Sequence, residues 1–92
     1  MSNSVLLVGK LASKIKDNTF ILAVNRTFKN VDGEYEKDLI PIEVWEGIIK
    51  NVKEYCSEGD IMGVKGRLQM KDNKIVVIAE KITFLSSKKD NK

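Results

Sequence analysis

One run of helical periodicity, set among strand-like runs, limits what this 92-residue chain can fold into. From Glu46 to Cys56 the apolar residues Ile48, Ile49, Val52, Tyr55 and Cys56 recur at three- and four-residue spacing, with Glu46, Lys50, Lys53 and Glu54 on the other side. That pattern predicts one amphipathic helix, ended by Gly59 where a glycine commonly stops a helix. Cys56 falls on the apolar side, which marks it as a core thiol rather than a nucleophile. Elsewhere apolar residues alternate or form short branched runs, the mark of strands.

Five strands are expected. Ser4–Leu11 opens with Val5-Leu6-Leu7-Val8, apolar on both parities. Both of its faces need covering, by a core on one side and a second subunit on the other. Gly9 then permits a bend or bulge, and Asp17-Asn18 marks a turn. The second strand runs over Thr19–Lys29, with Phe20, Leu22 and Val24 pointing together into the core. The same parity continues into Arg26 and Phe28, so the strand outruns its core. Asp32-Gly33 predicts a hairpin. The third strand, Tyr35–Trp45, places Ile40, Ile42 and Val44 on one face and Leu39, Pro41, Glu43 and Trp45 on the other. Pro41 lacks a ladder donor and belongs at an edge or bulge. The fourth, Asp60–Met70, sets Met62, Val64, Leu68 and Met70 against Lys65, Arg67, Gln69 and Lys71. Asp72-Asn73 turns the chain into the last strand, Ile75–Leu85. Residues 1–85 thus read as one domain, and 86–92 as a short disordered polar tail.

Five strands with a helix between the third and fourth predict an all-β fold with one helix. The matching architecture is the five-stranded OB-fold barrel, whose strands two and three form a ligand face.

Composition narrows the chemistry. The chain has no histidine and one cysteine, so it offers no Ser-His or Cys-His pair, no internal disulfide and almost no zinc ligands. No metal or cofactor is expected. Glu34, Glu36 and Asp38 alternate as solvated carboxylates do, which leaves an enzyme reading weak. No run approaches the ~18 apolar residues of a membrane span, and no leader pattern opens the chain; a cytoplasmic protein is expected. Net charge is +3, but it is polarised: +4 over residues 1–29, −6 over 30–60 and +5 over 61–92. If the two basic segments meet in the fold, they form a face that attracts polyanions.

Candidate ligand residues follow from these patterns. Arg26 and Phe28 at a strand end suit a phosphate and a base, or else a solvated arginine and a hydrophobic plug. Trp45 is either an outward stacking platform, or it caps the barrel or packs under the following helix. Lys65, Arg67 and Lys71 form a stripe that serves phosphate contact or protects an edge strand.

In order and spacing, several segments together resemble the bacterial single-stranded DNA-binding proteins, over about Val5–Leu85. They are Leu7-Val8-Gly9-Lys10-Leu11, Leu22-Ala23-Val24-Asn25-Arg26-Thr27-Phe28, Val44-Trp45, Gly59-Asp60, Gly66-Arg67-Leu68-Gln69 and Ile82-Thr83-Phe84-Leu85. The resemblance implies sequence-nonspecific binding of unpaired DNA in replication, recombination or repair, near the nucleoid. It also implies a homo-oligomer, tetramer or dimer, joined through the first strand. Phe28 and Trp45 match stacking aromatics, and Lys10, Arg26, Lys65 and Arg67 lie along the implied DNA path, with Lys71 following them.

Departures matter too. Leu39 stands where the family commonly has an aromatic, and the first and last hairpins are trimmed. The family's long tail with an acidic, phenylalanine-bearing tip has no counterpart before the closing Lys88-Lys89-Asp90-Asn91-Lys92. Either the chain is truncated, or it is a compact member that does not recruit repair proteins through a tail. With fewer aromatics, binding should lean on charge and be more salt-sensitive. The rival expectation is a primosome-type accessory barrel that acts mainly by assembling with replication proteins; an RNA-binding barrel is a further alternative.

Overall fold

A computed structural model describes residues 1–86, with side chains through Leu85. The expected polar tail, save for the Ser86 backbone, lies outside the described residues. The elements run β1 (Val5–Leu11), β2 (Thr19–Lys29), β3 (Tyr35–Glu43), α1 (Glu46–Tyr55), β4 (Ile61–Lys71) and β5 (Lys74–Ser86). The strands close into a barrel in the order β1-β2-β3-β5-β4. Only β3 and β5 run parallel, and they need the helix between β3 and β4 to bring the chain around. This is the five-stranded OB-fold architecture expected from the pattern.

Alternation determines the inside. Phe20, Leu22, Ile42, Met62 and Val64 are buried together with Leu11, Val44, Val77 and Ala79, and Ile49 and Val52 of α1 join the same cluster. Burying each such side chain fully contributes about 1.5–3 kcal/mol. Closure demands close backbone approach at Gly66, where an added Cβ would overlap the Ile78 carbonyl oxygen. Here β5 carries an extra residue, since Lys65 faces Lys81 while Gly66 faces Ala79. Bulges of this kind bend a strand around a barrel. Asp72 and Asn73 both have positive φ, 51° and 63°, the turn geometry that suits a two-residue hairpin. Pro41 sits just before the β3–β5 ladder, which begins at Ile42↔Val77, so its missing N–H costs no bond there.

Three boundaries differ from the sequence expectation. Strand β3 stops at Glu43 rather than Trp45, because the Val44 N–H turns to the Asn18 carbonyl at 2.9 Å and Trp45 starts the helix. Gly59 does not end α1. Cys56 ends it by turning extended, and Gly59, with φ 93°, lies three residues on in the turn that feeds β4. Buried Asp60 holds that turn by accepting the Ser57 N–H at 2.8 Å. Finally, Leu68 and Met70 share the parity of the core residues yet are 43% and 62% exposed. The β4–β5 hairpin projects past the barrel, and parity reports a face without saying where the core ends.

Candidate nucleic-acid interface

The two basic sequence segments do meet: β1 pairs with β4 from Val5↔Gly66 to Lys10↔Ile61. Beyond the barrel, β2 and β3 extend as a two-stranded arm. Its ladder is regular to Asn25↔Lys37 and resumes only at Lys29↔Tyr35, so Arg26, Thr27 and Phe28 stand against Glu36 alone. The extra residues push side chains out of the ladder. Phe28 is 72% exposed. At the tip, Asn30 Oδ1 accepts the N–H groups of Asp32 and Glu34, at 2.9 and 3.0 Å, which secures the Asp32-Gly33 hairpin.

Trp45 stands beyond the opposite end of β3. It occupies the N-cap of α1 in extended conformation (φ −74°, ψ 156°), makes no side-chain cap bond, and leaves its indole 70% exposed. The alternative in which it packs under the helix therefore does not hold. Nine residues of β3 at about 3.3 Å each put roughly 30 Å between the Phe28 and Trp45 ends. The two exposed rings therefore stand at separate places on the surface.

The predicted cations divide into two groups. Arg26 is ion-paired with Glu36 (Nη1–Oε1, 2.7 Å) and Asp38 (Nη2–Oδ1, 3.0 Å). The hydrogen bond from Arg26 holds the Asp38 carboxyl below the usual carboxylate range, and the same bond raises Arg26. Arg67 lies 3.6 Å from Glu80 and donates to Gln69. Lys71, at the β4–β5 tip, donates to Glu43 at 2.9 Å, and that bond raises its pKa. Among the described residues Lys10 and Lys65 make no ion pair; both are exposed, Lys10 opposite Ala23 and Ile61, Lys65 opposite Leu6 and Lys81.

Some exposed groups on these surfaces were not singled out from the sequence. Tyr35 is 53% exposed, with Lys29 Nζ 5.8 Å from its ring centroid. Its position beside the hairpin glycine was the available signal, but a tyrosine there also reads as an ordinary strand start. On the β4–β5 arm Leu68, Met70 and Ile75 line an apolar hollow, hidden in the sequence because their parity is that of core residues. Among the described residues no His/Cys/Asp/Glu group is arranged to hold a metal, and no helix is long and apolar enough to cross a membrane.

A closed five-stranded barrel with exposed rings and cations on its strands and arm defines an OB-fold nucleic-acid-binding module. Residues 2–85 match the model of the single-strand binding protein family. "Single-stranded DNA-binding protein 2" of Staphylococcus aureus strain COL is 40% identical, covering 100% of this chain and 79% of that one. The chain belongs to the single-strand binding protein family. Solved structures agree on the fold. The mitochondrial single-stranded DNA-binding protein Rim1 of S. cerevisiae superposes with a TM-score of 0.74 at 17% identity, covering 94% of this chain and 98% of that one. The Plasmodium falciparum SSB, solved in complex with ssDNA, gives 0.69 at 21%, covering 94% and 97%.

Proposed function

We propose that this chain binds single-stranded DNA without sequence preference and without catalysing a reaction, in the cytoplasm, serving replication, recombination or repair. The observation that carries the reading is the pair of large rings, Phe28 and Trp45, left about 70% exposed at the two ends of β3. Rings of that size normally bury; exposure at two such points fits a ligand that supplies the missing apolar surface. Bases do so whatever their identity, because each has a π-face. Two platforms about a strand-length apart suit a flexible strand several nucleotides long, within the ~4–16 nucleotides typical of one such barrel.

Lys10 and Lys65 meet phosphates directly in this reading. Arg26, Arg67 and Lys71 do so by exchanging a carboxylate for a phosphate. The chain also pairs with itself through β1. Residues Val5–Gly9 are laddered only to β4, which leaves the other strand edge open, and Leu6 and Val8 are 76% and 53% exposed. Open apolar edges invite a second strand. A dimer, or a tetramer of two dimers, follows, and replication proteins are the expected further partners.

The test is a titration with oligothymidylate at low salt, following Trp45 emission. Quenching with saturable binding supports the reading; neither quenching nor binding overturns it. A matched RNA oligomer in parallel reports whether the 2′-hydroxyl is discriminated.

A further inference from the structure

Val31, at the tip of the β2–β3 arm, is 101% exposed. The turn that carries it is tied down through Asn30. The Asn30 side-chain oxygen accepts the Asp32 and Glu34 N–H groups, its carbonyl accepts the Gly33 N–H at 3.0 Å, and its own N–H donates to the Glu34 carbonyl at 2.8 Å. The tip is therefore a preformed knob, an apolar side chain followed by the carboxylates of Asp32 and Glu34. Both are exposed, and among the described residues neither makes an ion pair. A loop already fixed in this way has little ordering entropy left to lose on docking.

The β4–β5 arm carries the matching shape. Leu68, Gln69, Met70 and Ile75 line a hollow of about 180 Å³. Met70 pairs with Ile75 and Leu68 with buried Val77, so the hollow continues the apolar face that forms the barrel core. An aliphatic side chain seated there would leave water together with the three that line it. Lys74, next to Ile75 in the chain, is exposed and makes no ion pair among the described residues, whereas Arg67 and Lys71 do.

Knob and hollow belong to opposite ends of one strand. The β2–β3 tip leads into the start of β3. Lys71, at the tip of the other arm, meets Glu43 at its end, about 30 Å of strand away. A knob and a socket set apart on one surface join copies head to tail, in a heterologous contact unlike the self-pairing expected of β1. We propose that Val31 of one copy seats in the Leu68–Met70–Ile75 hollow of the next, with Glu34 facing Lys74, along a shared DNA strand. The inference rests on the DNA-binding reading and adds to it a contact that binding of a single copy does not need. The strand's expected path, from Phe28 to Trp45, runs between the same two ends of β3. One aliphatic anchor and a charge pair cover far less than the ~1,600 Å² of a standard stable interface. The contact is accordingly weak between free molecules, and it tells when DNA holds two copies side by side at an effective concentration of about millimolar. Its consequence is cooperative binding on long strands.

The experiment compares polythymidylate with an oligothymidylate whose stoichiometry shows that it holds a single assembly. The ratio of the two affinities per site is the cooperativity factor. Wild type should show a factor well above one. Val31→Ser and Ile75→Ser should each lower it on the order of tenfold, the loss of one buried aliphatic contact, and the double variant should lower it little further. Both side chains are exposed in the single copy, so short-strand affinity should stay at the wild-type value. Glu34→Lys and Lys74→Glu should each reduce the factor, and the two together should restore it. A wild type that binds short strands but shows no cooperativity on long ones overturns the inference alone. So does a wild-type factor in Val31→Ser or Ile75→Ser, or a charge swap that restores nothing. If Val31→Ser or Ile75→Ser weakens short-strand binding, the surface belongs to the DNA and the contact between copies is overturned. A wild type that binds neither strand overturns the inference together with the function.

Discussion

Arg26 and Asp38 meet diagonally across the β2–β3 arm, with Nη2 3.0 Å from Oδ1 and Nε 3.3 Å from each carboxylate oxygen. Glu36 holds the same guanidinium at 2.7 Å, so it is released to a phosphate only when both carboxylates give way. Asp38→Asn combined with Glu36→Gln is therefore expected to tighten single-stranded DNA binding at low salt. It should also steepen the salt dependence by up to about 0.7 in log–log slope, as Arg26 becomes available to one more phosphate. Asp38 has its pKa lowered in the fold. The order this pair gives the arm is thus fully present above the ordinary carboxylate pKa and is lost as pH falls through the lowered folded value. An NMR titration of the Asp38 carboxyl with the Arg26 Nε proton would follow both changes.

Phe28 stands where three residues of β2 oppose Glu36 alone, and it contributes little to the core. Phe28→Ala should leave thermal stability close to wild type while weakening oligothymidylate binding by about 1–3 kcal/mol. Calorimetric titration at fixed salt measures the loss. Unchanged affinity would remove Phe28 from the site.

Trp45 occupies a helix N-cap, a position that favours Ser, Thr, Asp or Asn, and it makes no cap bond. Trp45→Ser should accordingly stabilise the protein, by roughly 0.5–2 kcal/mol, while costing about 1–3 kcal/mol of binding. Opposite signs in denaturation and in titration would separate a ligand role from a structural one. Since Phe28 and Trp45 lie at opposite ends of β3, the binding losses of the two variants should add.

Leu6, 76% exposed on β1, lies opposite Lys65 of β4. Leu6→Lys puts a charge on the expected subunit contact without touching the core. Equilibrium sedimentation should show a smaller species than wild type at the same concentration. An identical mass would move the contact elsewhere.

Burial pushes the Cys56 thiol up to about 11, with Asp60 adding to the shift. Only the thiolate reacts, so alkylation by iodoacetamide at pH 8 should be far slower in the folded protein than in urea. The rate should climb as pH approaches 11. In stability, the raised value contributes fully below the unfolded thiol pKa, and that contribution is lost as pH rises through the folded one.

Much of this molecule can be read along its chain because strands and helices repeat on short periods. Phe20, Leu22 and Val24, or Ile49 and Val52, declare their buried side within a few residues. The Asp72-Asn73 turn is equally local. The position of the helix between the third and fourth strands then selected one barrel, and the aromatic candidates came from the same pattern. Tertiary structure decided what depends on distant partners. Parity could not tell that Leu68 and Met70 leave the core, because the end of a barrel is where the opposite wall stops. Nor could sequence say which cations are engaged, since Arg26 meets Glu36 and Asp38, and Lys71 meets Glu43, only after register brings them together. A notch beside Gly9 lies furthest from local reading. It exists because β1 and β2 part beyond Lys10, and residues of four strands line it.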